Sequence, residues 1–225
     1  MAELSDKPMA SIVGGRRHSA FKRELQSVVG RTLFARRPPR KNGILHLGSG
    51  GMYKEGYCNA DFFPFNFVRR LVGRKPKPVD WGLDLRYPLK CPDGFFRGVF
   101  CEHTLEHIDV WHGMQLLSEL HRVLEPGGRV RLTVPDLEHH VRYYNGELPN
   151  KNFRQWAIPA EAFWSLTQNW GHQSVYDFEL LSKLLERAGF TDITREEYLK
   201  GKDEALILDH RSRSWESLYV EAVRP

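Results

Sequence analysis

Cysteine is scarce in this sequence, and the residues present form no recognisable binding pattern. Cys58, Cys91 and Cys101 are odd in number and contain no CxxC spacing. This arrangement argues against a disulfide framework and against a zinc site. We therefore predict buried, reduced thiols and no metal site.

Long apolar runs are also missing. No stretch approaches the roughly 20 apolar residues of a membrane-spanning helix, and the first fifteen residues lack the basic and apolar regions of a secretory signal. The 225 residues are 41% hydrophobic and 27% charged, with a mean hydropathy of -0.50. This composition is typical of soluble globular proteins, so we expect a cytoplasmic protein.

Positive charge is concentrated at the N-terminus. Residues 1–42 hold ten Lys/Arg and three Asp/Glu, a net +7, which leaves −2 for the remainder of a chain whose total is +5. A body with this charge disfavours nucleic acid as the substrate, because a phosphate backbone is normally met by positive charge. We divide the chain into a basic, partly helical arm (1–42) and a catalytic domain (43–225).

Within the arm, residues 21–37 have the spacing of an amphipathic basic helix. Such a helix either covers the body of the domain or contacts an anionic partner, including the inner face of a membrane. The prolines at 38 and 39 end it. Its apolar stripe consists of Phe21, Leu25, Val28, Val29, Leu33 and Phe34.

From residue 43 onward, short apolar runs alternate with helical patterns. This alternation predicts a doubly wound α/β fold with a mostly parallel seven-stranded sheet and a C-terminal antiparallel hairpin. An aromatic-rich insertion at about 137–173 interrupts the pattern on the substrate side. The predicted strands are 44–47, 57–62, 79–85, 98–101, 129–134, 192–199 and 217–223, and the predicted helices are 110–124 and 174–188, the second with Ser174 and Asp177 as a capping box.

The most informative motif is the run LHLGSGG at 45–51, in which an apolar strand is followed directly by a glycine turn. Glycine lets a ligand approach the backbone closely, although a tight turn alone would explain it. A dinucleotide fingerprint requires a third glycine where Tyr53 stands, and an acid further away than Asp61, which lies 11 residues beyond Gly50. A nicotinamide-dependent oxidoreductase is therefore disfavoured.

Together with that turn, further motifs in order along residues 43–223 resemble the class I S-adenosylmethionine-dependent methyltransferases, and within them a bacterial group of small predicted methyltransferases. These motifs are NADF, GLDLRYPL, FCEHTLEHI, LEPGGRVRLTVPD and YDFELLSKLLERAGF. The resemblance implies a class I methyltransferase-like Rossmann fold and S-adenosylmethionine as cofactor.

The resemblance also implies roles for individual residues at the strand ends. Two departures from the family pattern affect them. His46 occupies a position that is commonly acidic, and the short gap to Asp61 implies that the first helix is abbreviated or absent. The implied cofactor contacts are Gly48, Ser49 and Gly50 at the methionine end, Asp61 at the ribose, Asp84 and Leu85 at the adenine, and Glu102 and His103 near the sulfonium.

Methyl transfer to oxygen requires a base when the acceptor hydroxyl must lose its proton, and histidine suits neutral pH. Our candidates are His172 first, then His103 and His107. We expect O-methylation of a saccharide, glycan or other small metabolite. The alternative from another class is a non-catalytic cofactor-binding or interaction protein that acts through the basic arm.

Overall fold

The alternating pattern folds into a single seven-stranded sheet in the computed structural model, which describes residues 20–39 and 43–225. Residues 1–19 and 40–42 of the predicted arm lie outside this range. The strands are β1 (Gly43–Leu47), β2 (Cys58–Phe62), β3 (Trp81–Leu83), β4 (Phe96–Glu102), β5 (Leu124–Pro135), β6 (Thr191–Glu196) and β7 (Ser217–Val223).

The strand order is β3-β2-β1-β4-β5-β7-β6. The first five strands in this order are mutually parallel, whereas β7 runs antiparallel to both β5 and β6. The predicted mostly parallel sheet with a C-terminal antiparallel hairpin is therefore confirmed. Parallel pairing brings the carboxyl ends of the five parallel strands to one edge, which is where open α/β sheets bind ligands.

Six α-helices surround the sheet within the described residues. Helices α3 and α6 match their predicted positions, and Asp177 caps α6 by accepting from the Leu180 amide. Ser174 is not part of that cap, because its hydroxyl bonds to the Ile108 carbonyl instead. The helices are α1 (Ala20–Val29), α2 (Asn66–Leu71), α3 (Val110–Val123), α4 (Leu137–Tyr144), α5 (Pro159–Gln168) and α6 (Phe178–Arg187).

The link between β1 and β2, residues 48–57, is made of turns and contains no helix. The expectation of an abbreviated or absent first helix is thus confirmed. The chain passes directly from the glycine turn back into the sheet, and the Ser49 amide donates to the Ala60 carbonyl at 3.0 Å. The chain between the two strands therefore returns within ten residues.

The two faces of the sheet differ in chemistry. One face packs leucine, valine and phenylalanine side chains against α3 and α6. The other carries a polar row that the strand register places side by side, and the connection between β6 and β7 covers it through Leu206 and Asp209. Its polar members are Asn59, His46, Arg131 and Glu221, and Phe100 lies between His46 and Arg131.

The three cysteines are all buried, as predicted. Burial raises the pKa of both the Cys91 and the Cys101 thiol to about 12. Thiols with such values stay protonated near neutral pH and are poor nucleophiles.

Helix α1 differs from its prediction in length, and the structure decides its orientation, which the sequence left open. Regular α-helix ends at Val29, and a π-helical turn continues to Phe34. Its polar side faces the body, where Gln26 donates to the Phe63 carbonyl and Ser27 to the Asp84 carboxylate. The predicted apolar stripe therefore faces solvent instead of the core.

The insertion folds as α4, α5 and two short 3₁₀ turns at the carboxyl edge of the sheet. Phe153 is fully buried and contacts the rings of His140, Trp156 and Trp215. Trp170, by contrast, is exposed. Among the helices formed by residues 20–39 and 43–225, none combines the length and the apolar character needed to cross a bilayer.

Candidate functional site

The glycine turn after β1 has the backbone that only glycine tolerates well. Gly48 and Gly50 have φ angles of +69° and +55°. A Cβ on Gly48 would overlap the Thr104 Oγ1 atom, so this backbone lies directly against the segment that follows β4. Both constraints explain the glycines at these positions.

Ser49 sits between these glycines and is buried. Its hydroxyl has no hydrogen-bond partner among residues 20–39 and 43–225. Buried polar atoms are normally paired, so an unpaired hydroxyl in a glycine turn marks a place where a polar ligand would complete the bonding. The turn therefore has the features expected of the predicted methionine-end contact.

His46 is the penultimate residue of β1, and its side chain contacts a neighbouring strand. Its Nδ1 atom is 3.1 Å from Asn59 Oδ1. Burial lowers the pKa of His46, although the hydrogen bond to Asn59 opposes the shift. The ring is therefore neutral near pH 7 and stands where an acidic residue is common.

Two predicted cofactor carboxylates lie at the ends of β2 and β3. Asp61 is half-buried, and its Oδ2 atom is 3.2 Å from the Lys77 ammonium. Asp84 is more enclosed, since Ser27 donates to it at 2.5 Å and Arg86 approaches it at 2.7 Å. Burial alone would raise the pKa of Asp84, but hydrogen bonds from Arg86 and Ser27 outweigh burial and lower it. Both oxygens of Asp84 are thus engaged by protein groups.

The end of β4 holds Glu102 and His103, which point to different neighbours. Glu102 is buried and accepts from the His210 amide at 2.8 Å. Burial raises the pKa of Glu102 above its ordinary value. Glu102 therefore anchors the connection between β6 and β7, a role that the sequence did not indicate.

His103 adopts a left-handed φ of +43°, which is uncommon for a residue other than glycine. Its Nδ1 atom lies 3.2 Å from Glu106 Oε1, and its Nε2 atom lies 2.7 Å from Ser217 Oγ. Strained backbone of this kind clusters at functional sites. The strain here directs the ring toward a pocket beside β4 and β5.

That pocket lies between the insertion and the ends of β4 and β5. Two of the three candidate bases, His103 and His172, line it, whereas His107 does not. Aromatic and charged side chains share the remaining wall. The lining residues are His103, Pro135, His140, Trp156, Ser165, Leu166, Trp170, His172, Arg213 and Glu216.

His172 and His107 are brought together although 65 positions separate them. Their ring centroids are 5.0 Å apart and the rings are nearly perpendicular. The His172 Nδ1 atom is 2.8 Å from the Leu166 carbonyl, so it carries the proton and leaves Nε2 as an acceptor. Burial lowers the pKa of His107, and the nearby Glu106 opposes that shift.

Several functional candidates escaped the sequence analysis. His140 and Glu216 line the pocket, and Glu106 reaches both His103 and His107. Glu106 lies inside the FCEHTLEHI motif, whose acidic and histidine spacing was a usable signal. The others come from segments that only the fold brings together.

Residues 52–195 match a protein family described as a methyltransferase domain. The matched region begins just after the glycine turn and includes the β4 motif and most of the pocket. Among curated proteins, none matches this sequence.

Solved structures share the fold at low sequence identity. A SAM-dependent methyltransferase from Archaeoglobus fulgidus is 16% identical, with a TM-score of 0.49. The match covers 89% of this chain and 94% of the other. A possible histamine N-methyltransferase from Thermotoga maritima is 14% identical, with a TM-score of 0.49. That match covers 91% of this chain and 90% of the other. A possible exported protein from Bordetella parapertussis is 15% identical, with a TM-score of 0.50. That match covers 90% of this chain and 66% of the other. At such identities the likeness concerns the fold alone.

Proposed function

The chain belongs to the methyltransferase-domain family and is an S-adenosylmethionine-dependent methyltransferase, and we propose that it methylates a hydroxyl oxygen of a saccharide or similar polar metabolite. The observation that carries this proposal is the position of His103. Its ring stands at the carboxyl end of β4 and lines a pocket of aromatic and charged groups.

The residues around the glycine turn fit the cofactor. The left-handed glycines leave room beside the backbone, and the buried Ser49 hydroxyl lacks a partner within the described chain. Gly48, Ser49 and Gly50 would hold the methionine end, and Asp61 would accept hydrogen bonds from the ribose. When bound, S-adenosylmethionine supplies an electrophilic methyl group.

The adenine end is assigned to Asp84 and Leu85, with one qualification from the geometry. Arg86 and Ser27 already hold both carboxylate oxygens of Asp84. Asp84 would therefore contribute mainly by fixing the loop after β3. Since Ser27 belongs to α1, the arm takes part in shaping this end of the site.

In the proposed reaction His103 accepts the proton of the acceptor hydroxyl. With Nδ1 directed at the Glu106 carboxylate, the neutral ring keeps its proton there and presents a lone pair at Nε2. The Ser217 hydroxyl donates to the Arg213 carbonyl at 2.7 Å while its Oγ atom lies 2.7 Å from Nε2, so the acceptor hydroxyl would have to take the place of Oγ beside that nitrogen. His172 lines the same pocket and also leaves Nε2 as an acceptor, but it does not stand at the carboxyl end of a parallel strand.

The pocket wall supports a hydroxylated acceptor. Trp156 and Trp170 offer ring faces of the kind that pack against sugar rings. Arg213 and Glu216 lie 3.2 Å apart and supply donors and acceptors for hydroxyl groups. Such a mixture of apolar faces and few polar groups is typical of small-molecule sites.

We expect His103→Gln to lower kcat by about 10²- to 10⁴-fold, because it removes a general base, and to retain binding of the donor. The measurement combines initial rates over a panel of saccharides with calorimetric binding of S-adenosylmethionine, S-adenosylhomocysteine and NADH. His112→Gln, on the surface of α3, is the matched control.

An unchanged kcat in His103→Gln would contradict the assignment of the base. Binding of both sulfur nucleosides without turnover of any acceptor would favour the non-catalytic interaction protein. Binding of NADH alone would favour the oxidoreductase.

We further propose that α1 of the basic arm, together with α2 of the catalytic domain, places the enzyme on an anionic membrane surface. Phe21 and Leu25 of α1 are 75% and 55% exposed, and Phe67 and Leu71 of α2 are 67% and 72% exposed. The rings of Phe34 and Phe65, 5.2 Å apart, join the ends of the two helical segments. The exposed apolar side chains of α1 and α2, linked by this ring contact, make up the proposed membrane-facing surface.

Charge favours a lipid bilayer as the partner of this surface. Residues 66–77 contain five basic and no acidic side chains, and α1 adds Lys22 and Arg23. Apolar side chains beside Lys and Arg are typical of peripheral helices that insert among anionic headgroups.

We expect the protein to co-sediment with phosphatidylglycerol vesicles and not with phosphatidylcholine vesicles, and to be released by 0.5 M salt, roughly the screening range of surface charges. Phe67→Ser/Leu71→Ser should weaken binding at least about tenfold, because two large apolar side chains are removed. Val110→Ser/Leu180→Ser, exposed elsewhere, is the control. Equal binding by both double variants would overturn the proposal.

A further inference from the structure

Three potential metal ligands converge beside the pocket. Glu106, His107 and His172 each offer one ligand atom, and these atoms all lie within 4.8 Å of one another. Ligand atoms of a tetrahedral zinc site are about 3.4 Å apart, since each lies some 2.0–2.1 Å from the ion. Small side-chain rotations would therefore bring the three into coordination distance.

The backbone holds these residues together. Gln173 donates through its amide to the Glu106 carbonyl at 2.7 Å, and through its side chain to the His107 carbonyl at 2.6 Å. Ser174 adds a bond to the Ile108 carbonyl at 2.9 Å. These bonds fix the segment that carries His172 against the turn that carries the other two ligands.

Glu106 provides the second, independent observation. Its side chain is 1% exposed, and neither carboxylate oxygen makes an aligned hydrogen bond within the described chain. Among the described residues, His103 Nδ1 lies 3.2 Å from Oε1, which leaves Oε2 open. A buried carboxylate with so little bonding is costly, and a cation is a common remedy.

His172 is oriented as metal ligands usually are. Its Nδ1 atom is 2.8 Å from the Leu166 carbonyl, which leaves Nε2 open. A ligating histidine typically donates its second ring N–H to a backbone carbonyl, which fixes the ring and exposes the other nitrogen to the metal.

We propose that Glu106, His107 and His172 bind a divalent first-row transition ion of the zinc type. Two imidazoles and one carboxylate leave a fourth position open, as in catalytic zinc sites. Because His172 also lines the pocket, that position faces the acceptor side. The ion would orient an acceptor oxygen, and this role rests on the proposed function. Binding of the ion itself does not depend on the proposed function.

The test is titration of tag-free, chelator-treated protein with Co²⁺, followed by its visible absorption, and with Zn²⁺, followed by metal analysis. We expect one equivalent per chain. His107→Ala/His172→Ala should lower affinity at least 100-fold, and Glu106→Gln should lower it at least tenfold. His112→Ala/His121→Ala, two histidines of α3, should bind as the wild type does.

Circular dichroism shows which variants are folded, and Glu106→Gln keeps the shape of the side chain if the double variant does not fold. Wild-type protein that binds no Co²⁺, or binds it no better than Glu106→Gln, would overturn the proposal. Because neither donor nor acceptor is present, this result is independent of whether the acceptor has been assigned correctly.

Discussion

Replacing Arg131 with methionine is expected to lower the free energy of unfolding by about 3–5 kcal/mol, the loss found when one partner of a buried ion pair is removed. Arg131 and its two carboxylate partners, Asp209 and Glu221, are fully buried as side chains. Methionine would fill much of the space but leave Asp209 without Arg131 and Glu221 with Arg129 at 3.6 Å as its cationic neighbour.

The geometry of this network explains the size of the effect. The guanidinium donates to Asp209 through Nε at 2.8 Å and through a second nitrogen at 2.5 Å, and to Glu221 at 2.9 Å. It also reaches the carbonyls of Glu197 and Lys200. Burial lowers the pKa of Arg131, but the two acids outweigh burial and raise it, so it stays charged. One side chain thus attaches the connection between β6 and β7 to the sheet.

Urea unfolding monitored by tryptophan fluorescence measures the loss. Lys183→Met, which breaks the exposed pair with Glu179, is the control and should leave stability unchanged. Adding Asp209→Asn and Glu221→Gln to Arg131→Met should recover part of the loss, because the uncompensated charges are gone. A change below about 1 kcal/mol in Arg131→Met would mean that water or rearrangement satisfies the acids.

Gly48→Ala is expected to weaken S-adenosylmethionine binding at least about tenfold, because about 1.4 kcal/mol of strain corresponds to a tenfold change in affinity. The new Cβ would overlap Thr104 Oγ1 and occupy a φ of +69° that alanine disfavours by about 1–2 kcal/mol. The backbone of the turn would have to move away from the donor.

Calorimetric titration with S-adenosylmethionine and S-adenosylhomocysteine measures this change. Gly51→Ala is the control, because its φ is not left-handed and the new Cβ would meet no described atom within 4 Å. Gly50→Ala should fall between the two, since it is strained at +55° but meets only ordinary contacts. Equal affinities in Gly48→Ala and Gly51→Ala would show that the donor does not lie against this turn.

The fold was largely predictable because its signals are local. Alternating apolar runs and helical spacings identified all seven strands and the helices α3 and α6, and the glycines of the β1 turn marked the cofactor edge. Helix α2 was missed because its apolar side is not buried, so the sequence contains no core-facing stripe there. Strand ends shifted by up to five residues, and not at all for β7, because pairing, not hydrophobicity, determines where a ladder stops.

The site was only partly predictable. His103 and His172 line one pocket as candidate bases, whereas His107 turns away from it toward Glu106. The direction that α1 faces was also undetermined, because an amphipathic pattern shows that one side is apolar but not which side is covered. Ser27 and Gln26 made that choice by bonding to the body.

The sequence by itself determined the sheet, the cofactor edge and the motifs that carry chemistry, since each depends on neighbours within a few positions. Only the tertiary structure decided that Glu106 and His107 meet His172, and that Arg131 meets Asp209 and Glu221. These groups lie about 65 to 90 positions apart along the chain. Their spacing carries no periodic signal, and burial against a shared partner is what brings them together.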